Sequence, residues 1–528
     1  MSRGDSAAPP GVNHWVVALT VTLATFMEVL DTSIANVALP HIAGSMAASR
    51  SQSTWVLTSY LMANAIVLPL SGWLSNLMGR KRFYMSCVAL FTISSVLCGL
   101  ASSLGELILF RILQGAGGGG LQPSEQGILV DTFPAEKRGM AMAVYGMAVV
   151  VAPVLGPTLG GWITDNYSWR WIFFINVPVG ILSLVLTSFV VKDPPYMVAE
   201  RKKNKGKVIS VDYIGIGLIA LGLGALEIIY DKGQEDDWFG SNFIIALMVT
   251  TVVCLSAAVI WELRHPSPIV NFRLLGERNF LAVCLLSFAT FATLYAVTTD
   301  IPQMLQDLYH YDATRAGLVL SPSGLVTMVT MPIVGYLMGR KLDARILLFA
   351  GMLTLVGSLV WMTQLDLTAS PTAVMLPRCV QMLGIGLLFV PLSTAAYIYI
   401  PQAQVGNAAG IYNLLRNEGG SFGIAISTVM LDRRSQFHQN RLVERVTEAN
   451  PRTHQVIDQY AATARAAGFD PVTAQSKGWG MLYRTVQQQA RILAYIDIYH
   501  VLAAIAIAAL FLIPLMKPSV SKGGASIE

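Results

Sequence analysis

The sequence predicts an all-α membrane protein with fourteen transmembrane helices. Of its 528 residues, 54% are hydrophobic and only 13% are charged, whereas a soluble domain carries roughly 25% charged residues. The mean hydropathy of +0.56 agrees with this composition. A transmembrane helix needs about 20 mostly apolar residues, and the chain holds fourteen such stretches. The composition therefore excludes a soluble domain.

The fourteen apolar stretches follow one another along nearly the whole chain. The first stretch is too long for the apolar core of a cleavable signal peptide and has no A-x-A cleavage site, so we interpret it as a retained helix. The predicted spans are 15–39, 54–77, 83–102, 106–128, 140–163, 171–191, 213–230, 243–263, 280–303, 316–338, 346–363, 374–398, 408–430 and 495–516.

Basic residues predict how these spans are oriented. Cytoplasmic loops of membrane proteins carry an excess of Lys and Arg. The basic clusters at 80–82, 137–138, 201–207 and 340–341 all fall on one side of the predicted membrane. We therefore expect both termini in the cytoplasm and the long segment 431–494 outside, because long loops are translocated largely regardless of their charge.

Internal repeats predict two related bundles. The triplet Gly-Arg-Lys at 79–81 and the pattern Arg-x-x-Gln at 111–114 both recur roughly 260–270 residues later. Such duplicated halves are a common architecture of secondary transporters. The predicted organisation is an N-terminal six-helix bundle (1–191), linkers with two inserted helices (192–279), a C-terminal six-helix bundle containing the outer loop 431–494 (280–516) and a cytoplasmic tail (517–528).

Two acids in the first span raise the question of function. Glu28 and Asp31 are three residues apart and so share one helix face. Ionisable residues inside a membrane usually face a cavity or a partner, and two close acids would titrate as a unit, as a proton carrier requires. At about 1.5 Å per residue, Asp31 and Arg111 lie at comparable depths, so we expect contact between them. The alternative is a structural pair that fixes the first span against the fourth.

Further polar residues mark a possible transport path. Glu125 lies close to four helical turns beyond Arg111, and Pro123 next to Gln122 suggests a locally opened helix. We expect Glu125 in the proton path, although a plain interfacial acid is the alternative. We assign to the substrate cavity Gln114, Gln122, Arg378 and Arg416; for the two arginines, bonding to neighbours or backbone carbonyls is the alternative.

The fifth span carries prolines beside small residues. Small residues let two helix backbones approach closely, and prolines bend a helix. This pattern favours a shaped bend at a moving interface over simple tight packing. The residues concerned are Pro153, Gly156, Pro157, Gly160 and Gly161.

Other functional classes find little support. The five cysteines lie in apolar stretches without a CxxC pair, so we interpret them as core residues. We find no metal-ligand cluster, Ser/His/Asp motif or Walker A loop. The sequence thus predicts neither an enzyme nor ATP-driven transport, and no cofactor or metal.

At this point the chain resembles a known family, the fourteen-helix drug:proton antiporters of the major facilitator superfamily, and most closely their EmrB-type branch. LDTSIANVALP at 30–40 is similar to the family's first-helix signature, and 72–81 to the loop motif G-x-L-x-D-x-x-G-R-K. The segment 109–115 is similar to the fourth-helix Arg motif, 156–161 to the antiporter motif G-P-x-x-G-G, and 169–178 to the entry of the sixth helix.

Some positions depart from the family pattern. Asn76 stands where the loop motif has Asp, in a motif that otherwise keeps Gly72, Gly79, Arg80 and Lys81. This removes a carboxylate expected to pair with basic residues of a cytoplasmic gate. Neutral residues are expected at the positions of Glu28 and Glu125, whose carboxylates would favour cationic substrates.

The resemblance implies export of amphiphilic or hydrophobic compounds, such as drugs, in exchange for protons across a bacterial inner membrane. It also implies a periplasmic adaptor and an outer-membrane channel as partners, which segment 431–494 could contact. A symporter or facilitator of the same fold is an alternative that the G-P-x-x-G-G segment disfavours. A sensor or scaffold that does not transport is another, which Asn76 favours and the retained Asp31, Arg111 and Arg416 disfavour.

Overall fold

The computed structural model describes residues 13–204, 211–266, 268–340, 342–447 and 450–518. Within these ranges the regular structure is helical, with no strand. Lys341 and most of the predicted tail lie outside the described residues.

The α-helices are α1 His14–Ser45, α2 Arg50–Met78, α3 Arg80–Leu100, α4 Leu104–Gly118, α5 Leu121–Thr132, α6 Ala135–Asn166, α7 Trp171–Phe174, α8 Asn176–Val190, α9 Pro195–Asn204, α10 Tyr213–Lys232, α11 Asn242–Arg264, α12 Arg278–Asp307, α13 Ala313–Gly339, α14 Ala344–Met362, α15 Pro371–Ala395, α16 Val405–Val443, α17 Pro451–Ala466 and α18 Pro471–Leu510. Short 3-10 helices lie at Trp238–Gly240, Phe272–Gly276, Gln402–Gln404 and Ile513–Leu515.

The predicted membrane fold is confirmed. Twelve of the described helices are long and apolar enough to cross a membrane. The two remaining predicted spans, 106–128 and 408–430, coincide with α4 and α5 together and with α16. They fail the same test because the first is split into two short helices and the second is more polar.

The helices pack as two groups with an inserted pair beside them. In the first group α1 packs on α6, and α4 on α2 and α3; in the second α12 packs on α16, and α15 on α13 and α14. The groups meet where α6 contacts α13 and where α2 contacts α16. Of the inserted pair, α10 contacts both α2 and α16, so it touches each of the two groups.

The fourth span opens at glycines rather than at Pro123. The chain leaves the helix after Gly118 and resumes at Leu121. An added Cβ would lie 2.5 Å from the Tyr60 hydroxyl at Gly118 and 2.6 Å from the Asn64 carbonyl oxygen at Gly119. Only glycine allows so close an approach to α2. Pro123 lies within α5, where a proline in the first turn is tolerated.

The segment 431–494, predicted as a long loop outside the membrane, is mainly helical. α16 has 39 residues and α18 has 40, so each is about 60 Å long at 1.5 Å per residue, twice the bilayer's hydrocarbon thickness of about 30 Å. Both helices therefore continue beyond the membrane. Between them α17 packs on α18, where a Cβ at Gly478 would lie 2.8 Å from the Ile457 carbonyl oxygen.

Candidate transport site

Asp31 and Arg111 form a buried ion pair. Arg111 donates from Nη1 to Asp31 Oδ2 at 2.6 Å, and the two residues are 0% and 2% exposed. The predicted contact between the first and fourth spans is thereby confirmed. Removing one partner of such a pair leaves an uncompensated buried charge, which costs about 3–5 kcal/mol.

Three neutral side chains complete the surroundings of the ion pair. Gln114 accepts from Arg111 at 2.7 Å and donates to Asp31 Oδ1 at 3.1 Å. Asn176 also donates to Asp31 Oδ1, at 2.6 Å, and both amides bond to Ser95. Gln114, which we assigned to the substrate cavity, therefore lies in the Asp31 network instead.

The Arg111 guanidinium is also held from α2. Its Nε donates to the Val56 carbonyl oxygen at 3.1 Å, and its Cζ lies 4.2 Å from the centroid of the Tyr60 ring. A cation over an aromatic face is stabilised by the ring quadrupole. Three helices of one group, α1, α2 and α4, thus meet at this cation.

Glu28 has its own hydrogen-bond donors, distinct from those of Asp31. It accepts from Gln122 Nε2 at 2.8 Å, Asn64 Nδ2 at 3.2 Å and the Tyr60 hydroxyl at 3.4 Å. The two acids share a helix but no donor among the described contacts. Tyr60 nevertheless links them, because its hydroxyl faces Glu28 and its ring faces the cation bound to Asp31.

Gln122 connects Glu28 to the second helix group. Its Oε1 accepts from the Tyr145 hydroxyl at 3.2 Å and from Arg416 Nη2, while Arg416 Nη1 donates to Tyr145 at 2.6 Å. The Arg416 guanidinium also lies 5.2 Å from the centroid of the Phe291 ring. The structure thus brings Glu28, Gln122 and Arg416 together at the contact between the two groups.

Glu125, which we expect in the proton path, is buried against α1. It is 0% exposed, and its Oε1 accepts from Thr22 at 2.6 Å. Its Oε2 has no hydrogen-bond partner among the described residues. Thr22 and Glu28 both belong to α1, so Glu125 bonds to the helix that also carries Glu28.

Arg378 does not join Arg416. It donates to Gln381 and, at 2.7 Å, to the Thr298 hydroxyl, all within the second helix group. This triad repeats Arg111, Gln114 and Asp31 at one common offset in the sequence. The second group therefore has a hydroxyl where the first has a carboxylate.

Arg80 closes one end of the molecule, which we call the basic end. This end carries the turns at 79, 133–134, 191–194 and 396–404. Arg80 forms an ion pair with Asp131 and donates to the Gly127 carbonyl oxygen at 2.7 Å. Asp131 Oδ1 also accepts a hydrogen bond from Gln402 Nε2 of the second group at 3.4 Å. Asn76 is exposed, and the carboxylate that pairs with Arg80 is that of Asp131.

Neighbouring residues support this closure. Tyr196 of α9 donates to Asp131 at 3.3 Å, and burial raises the pKa of Tyr196 to about 12, so the phenol keeps its proton. The backbone N–H of Lys81 donates to Asp193 at 2.8 Å. Gly79 has φ +92°, a conformation that glycine adopts readily and other residues rarely do.

Glycines allow the two helix groups to touch at the basic end. A Cβ at Gly72 would lie 2.4 Å from Asn407 Oδ1, and one at Gly139 would lie 3.2 Å from the Met338 Cβ. Toward the other end of the same α6–α13 contact, a Cβ at Gly317 would lie 3.4 Å from Thr158 Oγ1. The two helix groups are therefore in close contact at the basic end.

The prolines of α6 create an unusual contact with α1. Proline has no N–H, so Pro157 leaves the carbonyl of Pro153, four residues earlier, without its helical donor. The Ser33 hydroxyl donates to that carbonyl at 3.2 Å. A Cβ at Gly156 would lie 2.1 Å from Ser33 Oγ, and at Gly160 3.1 Å from Ile34, whereas Gly161 has nothing within 4 Å.

Several residues of the site were missed in the sequence. Five of them are polar side chains within predicted spans, the same signal that identified Asp31, whereas Asp131 and Tyr196 lie outside those spans. Their partners lie far away in the chain. The missed residues are Tyr60, Asn64, Ser95, Asp131, Tyr145, Asn176 and Tyr196.

Known proteins resemble this chain over most of its length. The family described as Major Facilitator Superfamily matches residues 21–424. The multidrug export protein EmrB of Haemophilus influenzae is 42% identical, covering 83% of this chain and 84% of its own length. The fatty acid resistance protein FarB of Neisseria gonorrhoeae is 36% identical, covering 96% and 97%. The solved structure of the proton:xylose symporter XylE, only 16% identical, superposes with a TM-score of 0.62 over 96% of each chain, a likeness of fold alone.

Proposed function

The chain belongs to the Major Facilitator Superfamily, within its EmrB-type multidrug export proteins, and from this premise we propose how its residues couple protons to export. It is a proton-driven multidrug efflux transporter and a multi-pass membrane protein. The proposal concerns the proton carrier, the substrate cavity, the orientation and the partners.

Asp31 is the proton carrier in this proposal, and its buried ion pair with Arg111 is the observation that carries it. A proton that arrives on Asp31 neutralises the carboxylate and cancels its attraction to the guanidinium. Arg111 keeps Gln114 and the Val56 carbonyl as acceptors, so the cation stays partly solvated when Asp31 turns neutral. The ion pair can therefore open and close without expelling either side chain.

The substrate cavity lies where Glu28, Gln122, Tyr145 and Arg416 join the two helix groups. These side chains offer a carboxylate, a cation and aromatic faces in one place, which suits an amphiphilic molecule. A substrate that bonds to Gln122 or Arg416 competes with the bridge between the groups. Substrate binding is thereby linked to their relative movement.

The basic end is cytoplasmic in this proposal, and both termini lie there in a bacterial inner membrane. The polar contacts described between the two groups run from Gln122 near the middle to Asp131 at the basic end. The described conformation is then closed to the cytoplasm. Proton loading of Asp31 from the outer side would precede opening of the Arg80–Asp131 closure.

In this proposal the helical segment 431–494 makes the contact with the adaptor. On α18, Val472, Trp479 and Tyr483 are 77%, 40% and 52% exposed, and their spacing of seven and four places them on one helix face. An exposed apolar face of this kind is typical of a contact with another protein. We propose that a periplasmic adaptor, leading to an outer-membrane channel, covers it.

Dye transport in proteoliposomes tests the function. An imposed pH gradient should drive a fluorescent amphiphilic dye against its concentration gradient, and collapse of the pH gradient should stop it. Dye that moves together with the proton would indicate a symporter. Absence of movement in either condition, despite dye binding, would indicate a sensor or scaffold.

A further inference from the structure

Two acids lie between the inserted helix α10 and α16, away from the Asp31 network. Glu227 of α10 and Glu418 of α16 are each 5% exposed. Glu227 Oε1 accepts from the Ser421 hydroxyl at 3.3 Å. Both carboxylate oxygens of Glu418 are buried without a hydrogen-bond partner among the described residues.

The two carboxylates lie at the same contact between helices. Ser421, which donates to Glu227, is three residues beyond Glu418 on α16, so Glu418 and Ser421 share the helix face that meets α10. Two carboxylates buried together without a cation are not both ionised, because each disfavours the charged form of the other. A buried carboxylate without a partner instead takes up a proton.

Among the described residues, the charged groups of α10 and α16 near this pair are engaged elsewhere. On α16, Arg416 is engaged by Gln122 and Tyr145 of the opposite group. On α10, Asp231 accepts from Thr58 of α2, and Lys232 donates to the Ser51 carbonyl oxygen at 2.8 Å. Neutral side chains pack around this contact in the described residues: Tyr230 of α10 on Phe422, Met62 and Ile66 of α2 against Gly224, and Phe288 and Tyr295 of α12 against the glycines at 419 and 420.

Because the pair lies between α10 and α16, its charge affects how these two helices pack. The outer end of α10 is fixed to α2 of the first helix group through Lys232 and Asp231. Its contact with α16 of the second group runs through Glu227, through Tyr230 packed on Phe422 with ring centroids 6.5 Å apart, and through Gln234 bonded to Asp432 at 3.1 Å. The pair thus lies across the boundary between helix groups that must move during transport.

We propose that Glu227 and Glu418 form a second proton-binding site, and that its protonation holds α10 against α16. When the pair is protonated, the helices dock as in this structure. When both acids are ionised, their repulsion separates α10 from α16. This site goes beyond the proposed function, because it binds its proton independently of Asp31. Its protonation is measured as the separation of α10 from α16.

Distance measurements between spin labels test this site. Labels on full-length reconstituted protein would replace Leu221 on α10 and Phe437 on α16, which are 61% and 42% exposed. We expect the ratio of separated to docked populations to rise at least about tenfold between roughly pH 6 and pH 9. In E227Q/E418Q, which keeps the size of both side chains and removes their charge, the ratio should change less than about twofold.

Controls separate this site from its alternatives. Asp300→Asn removes another buried acid, whose two oxygens both accept from Ser427, and should leave the response unchanged. If the double variant does not fold, Glu227→Gln and Glu418→Gln should each reduce the response. The proposal is overturned if the wild-type distance ignores pH, if the glutamine variants respond like the wild type, or if the response follows sodium at constant pH.

Discussion

Glu28 is the residue at which substrate charge should be sensed. Its carboxylate lies in the proposed cavity and is linked through Gln122 to Arg416. A buried carboxylate is a natural counter-ion for a cation, so Glu28→Gln should weaken export of cationic substrates at least about tenfold, or about 1.4 kcal/mol, and neutral ones much less. Transport of one cationic and one neutral dye by the same vesicles measures this. Equal losses for both dyes would place Glu28 outside the cavity.

Thr298 explains why the two repeats have different chemistry. It stands in the second repeat where Asp31 stands in the first, and it accepts from Arg378 as Asp31 accepts from Arg111. Thr298→Ala should therefore leave proton-driven exchange within about twofold, since a neutral hydrogen bond is worth only about 1 kcal/mol. Measurement of dye exchange under a fixed pH gradient checks this. A loss comparable to that of an Asp31 variant would mean that the second triad also carries protons.

The Asp31–Arg111 contact could be predicted from sequence because both residues are charged within apolar stretches at matching depth. Asn176 could not, although it donates to the same carboxylate at 2.6 Å. An amide inside a helix is less costly than a charge, and only the packing of α8 beside α1 shows what it contacts. Asp131 was missed for a similar reason, because a carboxylate near a helix end is not unusual.

At the scale of single helices, the contact between α1 and α6 depends on one glycine. A Cβ at position 156 would lie 2.1 Å from Ser33 Oγ, so Gly156→Ala must push the helices apart or displace Ser33. Overpacking of this kind costs typically about 1–3 kcal/mol, and we expect export to fall at least tenfold. Gly161→Ala is the matched control, because nothing lies within 4 Å of it. Export rates and thermal stability of both purified variants measure the effect, and equal behaviour would contradict the assigned contact.

The exposed apolar face of α18 gives a second prediction about an element. Tyr483→Asp introduces a charge into that face without touching the transport site, because Tyr483 is 52% exposed and lies in the segment beyond the membrane. It should abolish drug resistance in cells that need the adaptor while leaving dye exchange in proteoliposomes unchanged. Loss of exchange in proteoliposomes as well would mean that the segment supports the fold rather than a partner.

Helices could be located from hydropathy, but their irregularities could not. The opening of the fourth span lies at Gly119 and Gly120. A side chain at Gly119 would meet Asn64 of α2 and one at Gly120 would meet Cys87 of α3, and both approaches are properties of the packed structure. The segment 431–494 was interpreted as a loop because its helices are polar. Their ends beyond the bilayer contact water, so the apolar criterion for a membrane helix does not detect them.

For the molecule as a whole, the basic end should act as a gate. An added Cβ at Gly139 lies 3.2 Å from the Met338 Cβ, close to the separation of about 3.5–4.5 Å in disulfides. The pair G139C/M338C should therefore cross-link on oxidation and stop transport, and a reductant should restore it. Each single cysteine variant is the control. Transport by the fully cross-linked protein would show that the helix groups need not separate there.

The basic residues predict the orientation of the whole molecule in the membrane. A membrane-impermeant thiol reagent applied from outside should label a cysteine at position 236 or 440, both exposed in the structure, and miss one at 203 in α9. The five native cysteines would be replaced first. Labelling at 203 from outside would invert the assignment of the basic end to the cytoplasm.

The central claim is that Asp31 exchanges the proton that drives export. The most direct measurement is proton release on substrate addition to purified protein in weakly buffered detergent, followed with a pH-sensitive dye. The wild type should release protons as substrate binds, because binding and protonation compete across the linked Asp31 and Glu28 networks. Asp31→Asn keeps the side-chain volume and should bind substrate while releasing no proton from this site, whereas Asp300→Asn should behave as the wild type. Proton release by Asp31→Asn equal to that of the wild type would contradict the account.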